Sequence, residues 1–224
     1  MNKQQKTFIA GTDTDVGKTL VTCALIQFAK QKRKTVIALK PVAAGCESAD
    51  GQLKNDDALK LMENLPEQHD YHLINSIALE PAIAPNIAAK KINFDLSINK
   101  LKENIDLNQF DHEVILVEGA GGWLVPLNEK ETLADWVEQE DLNVILVVGM
   151  KLGCINHALL TIENIKKRGL TVVGWVANCI DQDMSHLEEN IETLKNMISE
   201  PLLAKIPYLK NKNVAHQFFS DRLF

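Results

Sequence analysis

Gly11-Thr12-Asp13-Thr14-Asp15-Val16-Gly17-Lys18-Thr19 decides the fold of this 224-residue chain. The stretch follows the apolar run Thr7-Phe8-Ile9-Ala10 and opens an amphipathic stretch over about 17–32. It matches G-x-x-x-x-G-K-[ST] between strand and helix, the setting in which that spacing has a physical meaning. Backbone N–H groups of such a loop, with the positive end of the following helix, surround phosphate oxygens. Lys18 places its charge on the β- and γ-phosphates, and the Thr19 hydroxyl is a ligand for Mg²⁺. The bland reading, an ordinary strand-to-helix turn, leaves that spacing unexplained.

Beyond this loop the chain alternates. Further short runs that are apolar on both faces lie at 35–39, 113–117, 143–148, 171–177 and 202–206, the last stopped by Pro207. Continuous β-branched runs read as buried parallel strands. Helical patterns separate them at about 56–64, 95–105, 132–140, 156–168 and 184–198. The expectation is an α/β fold: one P-loop NTPase domain over 1–224, with a mostly parallel central sheet and helices on both faces. No linker or second domain is expected.

Composition narrows the class. The chain is 46% hydrophobic and 24% charged with net charge −6, which argues against a nucleic-acid surface. The basic run Lys30-Gln31-Lys32-Arg33-Lys34 reads as a solvated helix C-terminus facing the negative end of the dipole. No segment approaches the roughly 20 apolar residues of a membrane span. The first residues, Met1-Asn2-Lys3-Gln4-Gln5-Lys6, lack the apolar core of a signal peptide. Cys23, Cys46, Cys154 and Cys179 are widely spaced, without the pattern of a zinc site or disulfide frame. A soluble, cytoplasmic protein is expected.

In open α/β sheets, ligands sit beyond the carboxyl ends of the strands. Lys40-Pro41-Val42-Ala43-Ala44-Gly45 follows the second strand and puts a lysine beside the phosphate site, where it can stabilise a developing anion. Alone, Lys40 reads equally well as a solvated lysine. Glu118-Gly119-Ala120-Gly121-Gly122 follows the third strand; the acid sits where a second metal-site carboxylate belongs, and the glycines let backbone approach a ligand. Asn55-Asp56-Asp57 places two carboxylates at a helix start. One is explained by capping, and the other is a candidate Mg²⁺ ligand.

Together these segments resemble the dethiobiotin synthetase family of biotin biosynthesis. The resemblance also rests on Ala134-Asp135-Trp136, Val147-Val148-Gly149-Met150-Lys151-Leu152-Gly153-Cys154-Ile155-Asn156-His157-Ala158, Gly174-Trp175-Val176-Ala177-Asn178 and Ile206-Pro207-Tyr208, in the family's order along essentially the whole chain. It implies an ATP-dependent ligase that joins 7,8-diaminononanoate and CO₂ (or bicarbonate) into a cyclic urea through a carbamate and a carbamic–phosphoric anhydride. The catalytic lysines would be Lys40, Lys18 and Lys151. Thr19, Asp57 and Glu118 would hold Mg²⁺. ATP would contact Asp15, Val16, Gly17, Lys18, Thr19, Leu20, Asp57, Glu118, Gly119, Ala120 and Gly121. Its adenine would meet Asn178, Pro207, Tyr208 and Leu209.

The resemblance further implies that Lys40, Ala44, Gly153, Cys154 and Asn156 meet the substrate. Free N–H groups ahead of the helix at 156–168 would take its carboxylate. That loop would come from the second subunit of a homodimer, with active sites near the interface. Cys154 and His157 read as structural rather than catalytic. Where the family commonly carries a hydroxyl residue, this chain has Ala44, from which lower efficiency rather than a different reaction is expected. Two rivals share the P-loop: a cobyrinic acid synthetase-type amidoligase and a partition-type ATPase switch. The first usually carries a glutaminase domain; the second carries an extra lysine early in the loop, where this chain has Thr12 and Asp13.

Overall fold

The computed structural model of the protein describes residues 4–220 and 223. In chain order the elements begin with β1 (Gln5–Gly11), α1 (Lys18–Gln31), β2 (Val36–Leu39), β3 (Val42–Ala44), β4 (Glu47–Ala49), β5 (Gln52–Lys54), α2 (Asp56–Asn64), α3 (Tyr71–Ile74) and β6 (Ile77–Leu79). There follow α4 (Pro85–Lys91), α5 (Ile98–Asn104), β7 (Val114–Glu118), α6 (Leu133–Gln139), β8 (Asn143–Gly149), α7 (Cys154–Lys167), β9 (Val172–Asn178), α8 (Leu187–Met197) and β10 (Leu202–Ile206).

The six strands read from continuous apolar runs form one sheet in the order β10-β9-β8-β1-β7-β2. Every adjacent pair in it is parallel. β7 is buried along its whole length, which is why it shows no hydrophobic alternation. β1 is the switch point: β7 and β2 lie on one side of it, and β8, β9 and β10 on the other. A crevice therefore opens beyond its carboxyl end, where the phosphate loop begins.

Between β2 and β7 the chain makes an excursion that patterning did not resolve. β3 pairs with β6 in parallel, and β4 with β5 as a hairpin. These strands have three residues each, too short for a period to register. The excursion also carries α2, and with it Asp57, to the crevice.

Helix starts show local chemistry. The Asn55 side chain caps α2 by accepting from the Asp57 N–H at 3.0 Å. Neither aspartate is the cap, contrary to the sequence expectation, so the Asp57 carboxylate is released for other contacts. α6 opens with a capping box in which the Thr132 N–H donates to Asp135 Oδ2 at 2.6 Å and the Asp135 N–H to Thr132 Oγ1 at 3.3 Å. Arg168, just past α7, bridges to Asp135 Oδ1 at 2.6 Å. α7 begins at Cys154, two residues earlier than patterning suggested, because Gly153 at φ 93° turns the chain into it. Among the described residues, no helix is long and apolar enough to cross a membrane.

Candidate active site

The strand ends set out the site in spatial order. Across the sheet they carry Pro207 after β10, Asn178 at the end of β9, Lys151 just past β8, the phosphate loop after β1, Glu118 at the end of β7, and Lys40 just past β2. The loop thus has Glu118 and Lys40 on one flank, and Lys151 and Asn178 on the other.

The loop is shaped by close contacts. Asp15 is held at φ 57° and Gly17 at φ 90°. A Cβ at Gly17 would lie 2.1 Å from Asn178 Nδ2, so only glycine is accommodated. Asn178 itself is buried and donates from Nδ2 to the Val16 carbonyl at 2.8 Å. The amide expected at adenine is thereby engaged on the underside of the loop. Lys18 donates to the carbonyls of Gly121 and Asp13. Burial, and then the charge of Lys40, lower its pKa to about 8.

On the β7 flank four side chains converge. Lys40 Nζ lies 2.7 Å from Glu118 Oε1 and 3.3 Å from Asp57 Oδ2, and it donates to the Gly119 carbonyl at 3.1 Å. Thr19 Oγ1 donates to the same Glu118 oxygen at 2.8 Å. Burial alone would depress the Lys40 pKa, but Glu118 and Asp57 outweigh it and hold the pKa above the usual lysine range. Burial would likewise raise Asp57, yet Lys40 and the Thr19 hydroxyl keep it below the usual carboxylate range. Lys40 is therefore no solvated lysine: it is the cation that balances two inward-facing carboxylates. Glu118 Oε2 is buried with no hydrogen-bond partner. This oxygen donor set, with one buried acceptor unsatisfied, suits a hard cation such as Mg²⁺.

Thr19, Lys40 and Asp57 border a cleft of about 1250 Å³, and the buried Glu118 lies outside its lining. Of the residues expected at ATP or substrate on the loop's β7 side, Asp15, Gly17, Lys18, Thr19, Leu20, Lys40, Ala44, Asp57, Ala120 and Gly121 line it. Val16, Glu118 and Gly119 do not, nor do Asn178, Pro207, Tyr208 and Leu209, expected at adenine. Patterning missed an apolar part of the lining, a wall made by Ile83, Ala84 and Pro85 together with Leu124, Val125 and Pro126. The Gly119–Gly122 turn pointed toward the second half of that wall, and nothing in the sequence pointed to the first. Lys212 and Asn213, in the unassigned tail, also line the cleft.

The other flank departs from expectation. Lys151 is outside the cleft lining, with its Nζ 2.8 Å from Asp13 Oδ2 at the loop's rim. It follows β8, on the side of β1 away from Lys40, which explains the separation. Its hydrogen bond is the main reason the Asp13 pKa is lowered. Gly153, Cys154 and Asn156 do not line the cleft either. The Cys154 side chain is buried, and its N–H donates to the Lys151 carbonyl at 3.0 Å. Cys154 therefore brings no free group to a ligand, whereas Gly153, Leu152 and Asn156 are exposed. His157 is an exposed residue of the first turn of α7 and not its cap.

A family model described as an AAA domain matches residues 5–214. The chain is 50% identical over 202 residues to the ATP-dependent dethiobiotin synthetase BioD of Cellvibrio japonicus, covering 90% of this chain and 89% of that one. It is 43% identical over 219 residues to the BioD of Vibrio vulnificus strain YJ016, covering 96% of both. Among solved structures it is similar to the septum site-determining protein MinD with Mg-ADP from Pyrococcus horikoshii, with TM-score 0.57, 17% identity, and 96% and 93% of the two chains covered. A ParA family ATPase from Chlorobium tepidum gives TM-score 0.55 at 14% identity, covering 96% and 90%. At such identities the structural likenesses establish a shared fold and nothing finer.

Proposed function

The chain belongs to the ATP-dependent dethiobiotin synthetase family, and from that premise we propose how its cleft forms dethiobiotin. It is an ATP-dependent ligase of biotin biosynthesis. Neither the partition-type switch nor the amidoligase is favoured, because the sequence relatives are dethiobiotin synthetases while the partition-type likeness stops at the fold.

In this reading 1–224 works as one cytoplasmic domain. One amine of 7,8-diaminononanoate takes up CO₂ as a carbamate. The carbamate oxygen attacks the γ-phosphorus of ATP, ADP leaves, and a carbamic–phosphoric anhydride forms. The second amine attacks the anhydride carbon, phosphate departs, and the five-membered urea closes. Carbamate and ATP are both anions, so the step needs positioned positive charge. Lys18 and Lys40, both lining the cleft, supply it from the protein. Thr19, Asp57 and Glu118 would hold Mg²⁺, which on binding neutralises phosphate charge. Adenine would lie toward Asn178 and 207–209. The apolar wall of Ile83 and Leu124 suits the alkyl chain of the substrate.

The helix start at Gly153 and Asn156 would receive the substrate's carboxylate from a second copy of the chain. Leu152, 95% exposed beside it, supports a homodimer contact at this loop. Lys151 would complete that neighbouring site. The observation that carries the proposal is the convergence of Lys40, Asp57, Glu118 and Thr19 beside the phosphate loop. The test is to incubate the purified protein with Mg-ATP, bicarbonate and the diamine, and to detect dethiobiotin by mass. ATP turnover indifferent to the diamine would overturn the reading.

A further inference from the structure

We propose a second metal site, for a zinc-class dication, formed by Glu67, His69 and His112 at the end of the sheet away from the ATP cleft. One donor atom from each residue lies within 4.8 Å of the other two, and no other such triad of His, Cys, Asp or Glu occurs among the described residues. His69 Nε2 and His112 Nδ1 are both buried and lack hydrogen-bond partners. Buried imidazole nitrogens ordinarily find a partner, so an unsatisfied one on each of two neighbouring rings is the chemistry a shared cation would satisfy. The ring centroids are 6.3 Å apart with the planes at 62°.

The placement is also partly fixed. Gln4 Nε2 donates to the backbone carbonyls of Phe110 and His112 at 2.7 and 2.9 Å, pinning the segment that presents one ring. Glu67 is exposed on the loop after α2. Zinc bonds of about 2.1 Å put tetrahedral donors roughly 3.4 Å apart. Rotation of the exposed Glu67 side chain can close much of the remaining gap. Two imidazoles and one carboxylate select zinc, cobalt or nickel over magnesium. Glu67 and His112 also line a recess of about 280 Å³ with Lys30, Arg33 and Lys34, so the fourth position suits water or a small anion.

A dication here ties the connection after α2, whose first turn carries Asp57, to the lead-in of β7, whose last residue is Glu118. It works as a clamp on the scaffold and takes no part in ligase chemistry.

The test uses untagged, metal-free protein in saturating Mg²⁺, titrated with Co²⁺ for its visible spectrum and with Zn²⁺ for affinity. One high-absorbance, tetrahedral Co²⁺ per chain is expected. A hundredfold excess of Zn²⁺ over Kd should raise Tm by about 5–10 °C. His69→Gln and His112→Gln should each weaken Zn²⁺ binding by at least about tenfold while keeping dethiobiotin formation. Glu67→Gln, on an exposed loop, removes a ligand without disturbing the core and should weaken binding similarly. Octahedral Co²⁺ only, or Zn²⁺ affinity unchanged in Glu67→Gln and in a folded His variant, overturns the site. Because ligase activity is read separately, this outcome is distinct from failure of the proposed function.

Discussion

Lys40 Nζ lies 2.7 Å from Glu118 Oε1, with the two side chains 5% and 0% exposed. A pair so enclosed is costly to break, because removing one partner strands a charge out of water. The same geometry aims a fixed cation at the space next to the phosphate loop.

Lys40→Met is therefore expected to remove both stability and product. Loss of one buried partner costs about 3 kcal/mol, or about 6–12 °C in Tm for a chain of this size. Dethiobiotin formation should fall by at least about a hundredfold. In the double variant Lys40→Met/Glu118→Gln the fully buried carboxylate is no longer left unpaired, and only the partly exposed Asp57 lacks its lysine, so stability should partly recover and turnover should not. Thermal melts and product mass read the two effects apart. Unchanged product formation in Lys40→Met would remove the lysine from the mechanism.

Glu118→Gln keeps size and hydrogen-bonding capacity but removes the charge offered to a cation. Changes behind a metal's ligands already cost about 10–100-fold in affinity, so a ligand change should raise the Mg²⁺ concentration for half-maximal turnover at least about tenfold. A magnesium titration at saturating ATP measures it. An unshifted midpoint contradicts the ligand assignment.

Lys18, with a pKa lowered to about 8, sets an alkaline limit on nucleotide binding. The nucleotide-free protein loses this charge as pH rises through that value. Phosphate favours the charged form, so binding near pH 8.5 should take up a proton, and the KM for ATP should climb above pH 8. Calorimetry in two buffers of different ionisation enthalpy detects the proton. No uptake between pH 8 and 9 would show Lys18 to be fully charged.

Asp135 is half-buried at the start of α6. Burial would raise its pKa, but the hydrogen bonds from Arg168 and Thr132 prevail and hold it below the usual carboxylate range. A lowered folded pKa means stability present at neutral pH and lost as pH falls through the folded value. Asp135→Asn should cost about 1–2 kcal/mol at pH 7, from the capping box and the link to Arg168. The difference should shrink below about pH 4. Urea unfolding at pH 7 and pH 3 gives the comparison; an equal loss at both would show that the charge is immaterial.

Continuous apolar runs were enough to identify the six sheet strands, because a strand buried on both faces carries its signal in every residue. The α2 boundaries, Asp56–Asn64, were legible for a similar reason: an Asn-Asp-Asp start and apolar spacing are local. The three-residue strands and the short helix α3 were not legible, since elements of three or four residues are too short for a period to register, and β3 and β6 also pair across a long stretch of chain. Cys154 and Lys151 illustrate a subtler limit. Their residue types suited a ligand loop, but burial and a salt bridge to Asp13 depend on which side of β1 their strand falls.

Local order along the chain thus determined the phosphate loop, the parallel layering and the identities of Lys40, Asp57 and Glu118 as candidates. Tertiary structure alone decided that these three meet. They come from the end of β2, the start of α2 and the end of β7, and the strand order places β7 between β1 and β2. Hydrophobic period acts between near neighbours and is visible in sequence; strand order is set by packing across the whole sheet and is not. Ala44, Lys212 and the apolar wall reach the cleft by that packing, and it also holds Asn178 against the Val16 carbonyl, 162 residues away in sequence.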